Sequence, residues 1–106
     1  MNAEDFKKRT KAFAIRIVRF AGSVPRTMAG DVICRQLLRA GTSVAANYHL
    51  ACCAKSRADL VAKMGIVQEE CDESLYWLEL LIETKQVKNF LVEGLRREAK
   101  EILALV

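Results

Sequence analysis

The 106-residue chain contains one proline, Pro25, and one histidine, His49. A single proline leaves long stretches without the residue that removes an amide donor and breaks helices. No stretch of useful length alternates apolar and polar residues, so strands are not expected. No apolar run approaches the roughly 18 residues of a membrane-spanning helix. The charged opening MNAEDFKKRTK leads into no apolar signal region, which predicts a soluble, cytosolic protein with no membrane partner. One histidine excludes the di-metal carboxylate bundles, which need two Glu-x-x-His elements. Glycine-rich phosphate loops, nucleophile elbows and catalytic-triad patterns are missing too. Neither an enzyme nor a cofactor is expected.

The four cysteines, Cys34, Cys52, Cys53 and Cys71, have no spacing that suggests a disulfide framework. Cys34 and Cys71 fall on apolar faces and read as core. His49, Cys52 and Cys53 offer about two ligands on one helical turn, short of the four that a structural zinc takes, so no metal is expected. The acidic run EECDE puts Glu69, Glu70, Asp72 and Glu73 within about one turn, which reads as a solvated face rather than an acid–base pair.

What is present is helical periodicity. Phe6, Phe13, Ile17 and Phe20 fall on one face of a first helix over about Glu4 to Ala21, which Gly22, Ser23 and Pro25 end. A second helix starts near Thr27 as N-cap, with Asp31 near its positive end. Val32, Ile33, Leu37, Leu38, Val44 and Leu50 are its apolar positions. A third follows the capping-box-like pair Ser56 and Asp59, and Leu60, Met64, Val67, Cys71, Leu78 and Leu81 keep a near-heptad beat. It ends around Thr84 to Val87. A fourth runs from about Asn89, with Leu91, Leu95, Ala99, Ile102 and Val106 inward. The fold expected is all-α: an antiparallel up-down four-helix bundle forming one domain over residues 1–106.

The stretch RAGTSVAANYH, Arg39 to His49, is rich in weak helix formers. The third helix nevertheless needs a full-length neighbour, so this stretch is expected to stay helical, with a bend possible at Gly41. Gln36, Arg39, Ser43 and Asn47 then form a polar seam along one stripe, either fixing helix pairing, facing water or lining a groove. Gly41 and Ala45 allow a neighbouring helix to approach closely.

Charge is unevenly spread. Residues 1–63 hold twelve bases and four acids, while residues 64–106 hold five bases and nine acids. This predicts a polyanion partner, contacts between oppositely charged halves of neighbouring copies, or simply solvated faces. The candidate nucleic-acid-binding residues are Lys7, Lys8, Lys11, Arg16, Arg19, Arg35, Arg39, Lys55 and Arg57. Arg9 and Lys63 add to the same basic surface. Binding would be backbone-directed and salt-dependent, since no RNA-recognition or zinc-finger signature is present. In LYWLELLI, Tyr76, Trp77 and Leu80 point substantially away from the intramolecular core and are the candidate oligomer interface. A homo-oligomer is therefore expected.

The segments RQLLRAGTSVAANY and KSRADLVAKMGIVQEECDESLYWLELL resemble the bacterial four-helix-bundle family named after the 23S rRNA intervening sequence. Members read as a Gln-x-x-Arg-x-x-x-Ser-x-x-x-Asn helix, followed by a Ser-led helix ending in an acidic, Leu-Tyr-Trp-Leu-like run. The matching positions are Gln36, Arg39, Ser43, Asn47, Tyr48, Ser56, Gly65, Glu69, Glu70, Asp72, Glu73, Leu75, Tyr76, Trp77 and Leu78. The resemblance implies an up-down bundle assembled as a homopentameric ring around a central channel. Related accessory proteins of diversity-generating retroelements form basic pentameric barrels that bind nucleic acid and a reverse transcriptase. The chain departs from the pattern after Asn47, where HLACC stands in place of charged residues. The function expected is a non-enzymatic oligomer that binds RNA or DNA phosphates through its first two helices. The alternative is an adaptor whose oligomer presents a groove to a partner protein.

Overall fold

The computed structural model describes residues 1–106 as four helices and no strands: α1 (Ala3–Ser23), α2 (Met28–Ala51), α3 (Arg57–Glu83) and α4 (Asn89–Leu105). Short connections make consecutive helices antiparallel neighbours, and α4 returns to α1 to close the square. The result is an up-down bundle measuring 44 × 23 × 18 Å. The α1·α4 side is the most sparsely packed, and Arg9 bridges it through a two-point contact to Glu98, at 2.9 and 2.7 Å.

The first three helices start where a side chain can accept an orphan amide. Asn2 caps the amide of Asp5 at 2.8 Å, Thr27 that of Gly30 at 2.9 Å, and Ser56 that of Asp59 at 3.0 Å. The Asp59 carboxylate reaches back to the Lys55 amide and forward to Lys63, and those bonds hold its pKa below the usual range. Lys88 caps α4 with backbone geometry alone. α3 stops at Lys85, whose φ of 59° turns the chain so that Gln86 and Val87 donate back to Leu81 O.

Arg39 to His49 is wound continuously within α2. One of its weak helix formers, Gly41, is there for close packing, and others bond back to the helix. Gly41 is buried against Ile17 of α1, and Thr42 returns its hydroxyl to Leu38 O at 2.6 Å. Tyr48 is buried edge-on against Phe6, with ring centroids 4.7 Å apart.

The core runs through all four helices, with Phe13, Ile17, Leu37, Val44, Val67, Leu78, Leu81, Val92 and Ile102 fully buried. Two polar side chains sit within it, both satisfied locally: Thr10 donates to Lys7 O, and Ser74 to Glu70 O. Cys71 is buried and its thiol meets Ala99 O at 3.2 Å, while Cys34 is buried on α2.

Some expected inward positions face out. Leu91 is 55% exposed and Val92 takes its place, because Val92, Leu95, Ala99 and Ile102 form the stripe that meets α3 and α1. Leu91 lies one residue, about 100°, off that stripe. Leu60, Val32 and Leu50 are also exposed: Leu60 lies in the first turn of α3, and the other two lie on α2.

Candidate nucleic-acid interface

α1 and α2 together carry no carboxylate between Asp5 and Asp31, and none between Asp31 and Asp59. Their shared outer face is therefore cationic by composition. Lys7 and Lys11 line one side of a shallow groove whose other side is Thr42, Ala45, Ala46, His49 and Leu50 of α2. Thr42, Ala45 and Ala46 are small, which leaves the space between the helices open beside the lysines. Lys8 and Arg19 project outward from α1; eleven residues are about three turns, so they stand roughly 16 Å apart on one stripe. Arg35 lies farther along, beside Ala21 and Gly22. Lys55 and Arg57 are exposed at the α2–α3 connection.

The nine candidate cations do not all belong to this face. Arg16 reaches over the α4 side of α1, with a guanidinium nitrogen 3.1 Å from where a Cβ on Gly94 would stand. Arg39 is turned to α3, where Glu70 and Glu73 hold its guanidinium. Those two carboxylates balance its charge, while the side chain stays 46% exposed. The other eight, Arg16 included, are in no ion pair. Arg9 and Lys63, which sequence alone added to the basic surface, are neutralised by Glu98 and Asp59.

The polar seam follows the α2·α3 flank. Gln36, Ser43 and Asn47 are half-buried there. Arg39 donates to Gln36 at 3.2 Å, Trp77 Nε1 donates to Glu73 at 2.9 Å, and Asn47 donates to Ser43 O at 2.9 Å. One network thus joins Gln36, Arg39, Glu70, Glu73 and Trp77 across two helices. Glu70 and Glu73 are pairing groups rather than a solvated face, whereas Glu69 and Asp72 are exposed. Trp77 and Leu80, two of the three candidate interface residues, pack half-buried on the molecule's own core. Tyr76, edge-on to Trp77, is 57% exposed.

Residues 4–106 match the family of 23S rRNA-intervening sequence proteins. The chain belongs to that family. A crystal structure of a protein of unknown function from the S23 ribosomal protein family of Bacteroides thetaiotaomicron is similar to it at 36% identity, with a TM-score of 0.91, covering 99% of this chain and 94% of that one. No curated protein matches.

In this 23S rRNA-intervening sequence protein the stretch HLACC stands at the end of α2. Leu50, Cys52 and Cys53 are exposed there, and Ala51 is buried. No three His, Cys, Asp or Glu side chains come close enough together to hold a metal ion. No helix is long and apolar enough to cross a membrane.

Sequence reasoning missed a cleft at the opposite end of the bundle. The α1–α2 and α3–α4 connections meet there, and Phe20, Val24, Pro25, Ile82, Val87, Phe90 and Leu91 line about 960 Å³ of space with Lys85 and Lys88 at its rim. Phe90 is 74% exposed. The available signal was the pair Phe90 and Leu91 in the first turn of α4, where no neighbouring helix overlaps both.

Proposed function

We propose that this protein is a non-enzymatic, cytosolic homo-oligomer that binds the phosphate backbone of RNA or DNA through its α1·α2 face. One observation carries the reading: Lys7, Lys8, Lys11, Arg19 and Arg35 are unpaired cations on a layer that holds no carboxylate over its middle, with Lys55 and Arg57 unpaired at the adjoining α2–α3 connection. Five other bases, Arg9, Arg26, Arg39, Lys63 and Arg96, are paired with carboxylates within the fold. Cations left free on a rigid layer neutralise phosphates and release counterions, so affinity falls steeply with salt.

Assembly as a ring, pentameric by the family resemblance, would repeat the patch and multiply a modest affinity. Exposed apolar side chains on a small chain support association: Tyr76 and Ile66 on α3, and Val32 on α2. Light scattering on the eluted peak tests this, and a clean monomer at micromolar concentration ends it. An electrophoretic shift series across salt tests nucleic-acid binding. Retardation that weakens as salt rises supports it; no shift at low salt, or one indifferent to salt, rejects it.

The apolar cleft at the bundle end favours a second reading, an adaptor that docks a partner protein. Capture of a partner that survives nuclease and high salt, and is lost with Phe90→Ala, distinguishes that role.

A further inference from the structure

The chain has four Phe, two Tyr and one Trp, and none of them stands on the cationic face. Phe6 and Tyr48, chain neighbours of Lys7 and His49 on the groove, are buried against each other at 7% and 8% exposure. Phe13 is fully buried, and Phe20 is half-buried facing the end cleft. Trp77 is tied to Glu73, and Tyr76 sits beside it in the acidic stretch of α3, where phosphate is repelled. Phe90 is exposed but stands at the bundle end, at the start of α4.

Single strands gain about 1–3 kcal/mol per base by stacking on aromatic side chains, and binders of single strands place several such rings along a cationic track. Here the track exists without the rings. A duplex requires none, because its bases already stack on one another and it presents phosphates at fixed spacing. The cations suit that target, since Lys8 and Arg19 are held at fixed separation on one helix and the groove beside Lys7 and Lys11 is lined on its α2 side by the small residues Thr42, Ala45 and Ala46. Building on the phosphate-binding reading above, we infer that the α1·α2 face takes double-stranded nucleic acid, through its backbone alone, in preference to single strands of the same length.

Fluorescence anisotropy on the full chain tests this, with duplex RNA and duplex DNA set against unstructured oligo-uridine and oligo-thymidine of equal length at one salt concentration. The duplexes are expected to bind about tenfold tighter or more, because a duplex offers the cations about twice the phosphate density of one strand and releases more counterions per contact, while no ring is present to stack the bases of a single strand. Lys7→Glu with Lys11→Glu should weaken duplex binding and flatten its salt dependence. Phe90→Ala should leave duplex binding unchanged. Ala46→Trp, which adds a ring at an exposed position on the α2 side of the groove, should raise single-strand affinity selectively. Circular dichroism confirms that each variant is folded. Single strands binding as tightly as duplexes would overturn the duplex assignment while leaving charge-driven binding intact. If Phe90→Ala then abolished single-strand binding, the site would move to the bundle end. No binding of either form at low salt would reject the phosphate-binding reading itself.

Discussion

Gly41 of α2 lies so close to Ile17 of α1 that a Cβ at position 41 would stand 2.9 Å from Ile17 Cγ2 and 3.0 Å from Cγ1. Ile17 is fully buried and β-branched, so it has no free rotamer in which to retreat. Alanine at 41 would gain about 1 kcal/mol of helix propensity but force the two helices apart, and overpacking of this kind costs about 1–3 kcal/mol. Gly41→Ala is expected to lower stability by about 1 kcal/mol, read as an earlier midpoint in urea. In an Ile17→Ala background the same change should become neutral or stabilising, because the atoms it strikes are gone.

Gly65 gives the opposite expectation. It lies in the middle of α3, and a Cβ there meets nothing within 4 Å. Gly65→Ala should therefore stabilise the protein by up to about 1 kcal/mol, raising the melting temperature by several degrees. A loss of stability would mean that position 65 is covered in solution by another chain.

Arg39 is expected to matter for the fold and not for phosphate. Arg39→Gln removes the cation between Glu70 and Glu73, at a cost of about 1 kcal/mol or less because the site is partly exposed. Freed of Arg39, Glu73 shifts relative to the Trp77 indole, so the tryptophan emission should change. Nucleic-acid affinity should stay near the parent value, while Lys11→Glu lowers it.

The thiols should divide into two classes. Cys52 and Cys53 are exposed and should react rapidly with a thiol reagent; Cys34 and Cys71 are buried and should react only as the protein opens. Burial pushes the Cys71 thiol up to about 11, with the charges of Asp72 and Glu98 adding to the shift. The folded state thus favours the neutral thiol. That contribution is fully present below the ordinary value of 9.0 and is lost as pH rises through about 11. Melting temperature should fall over that alkaline window, and Cys71→Ala should remove this part of the fall.

At the acid end the sign reverses. Asp59 is held low chiefly by its bond to Lys63, and Asp31 chiefly by its bond to Arg26. Their contributions are present above about pH 4, the ordinary aspartate range, and are lost as pH falls through the depressed folded values. Asp59→Asn should flatten the acid limb of a melting-temperature profile and lower its neutral plateau.

Much of the architecture was legible in the residues. Thr27 and Ser56 announce helix starts because their hydroxyls satisfy amides that nothing else can reach. The length of the patterned segment after Ser56 demanded an equally long neighbour, which kept Arg39 to His49 helical despite Gly41, Thr42 and Ser43. Cys34 and Cys71 were assignable to the core, and the charge imbalance marked α1 and α2 as the cationic layer.

Tertiary structure decided what periodicity left open. A 3.6-residue repeat fixes which positions share a stripe, but two adjacent phases can look equally apolar; contact with α3 and α1 selected Val92 over Leu91. The fate of each charge was likewise invisible along the chain, because Arg39 meets glutamates more than thirty positions away and Arg9 meets one 89 positions away. Those pairings depend on the rotation and offset of whole helices, which packing sets. The sequence therefore determined that a cationic layer would exist, and only the packed bundle decided which of its bases remain unpaired.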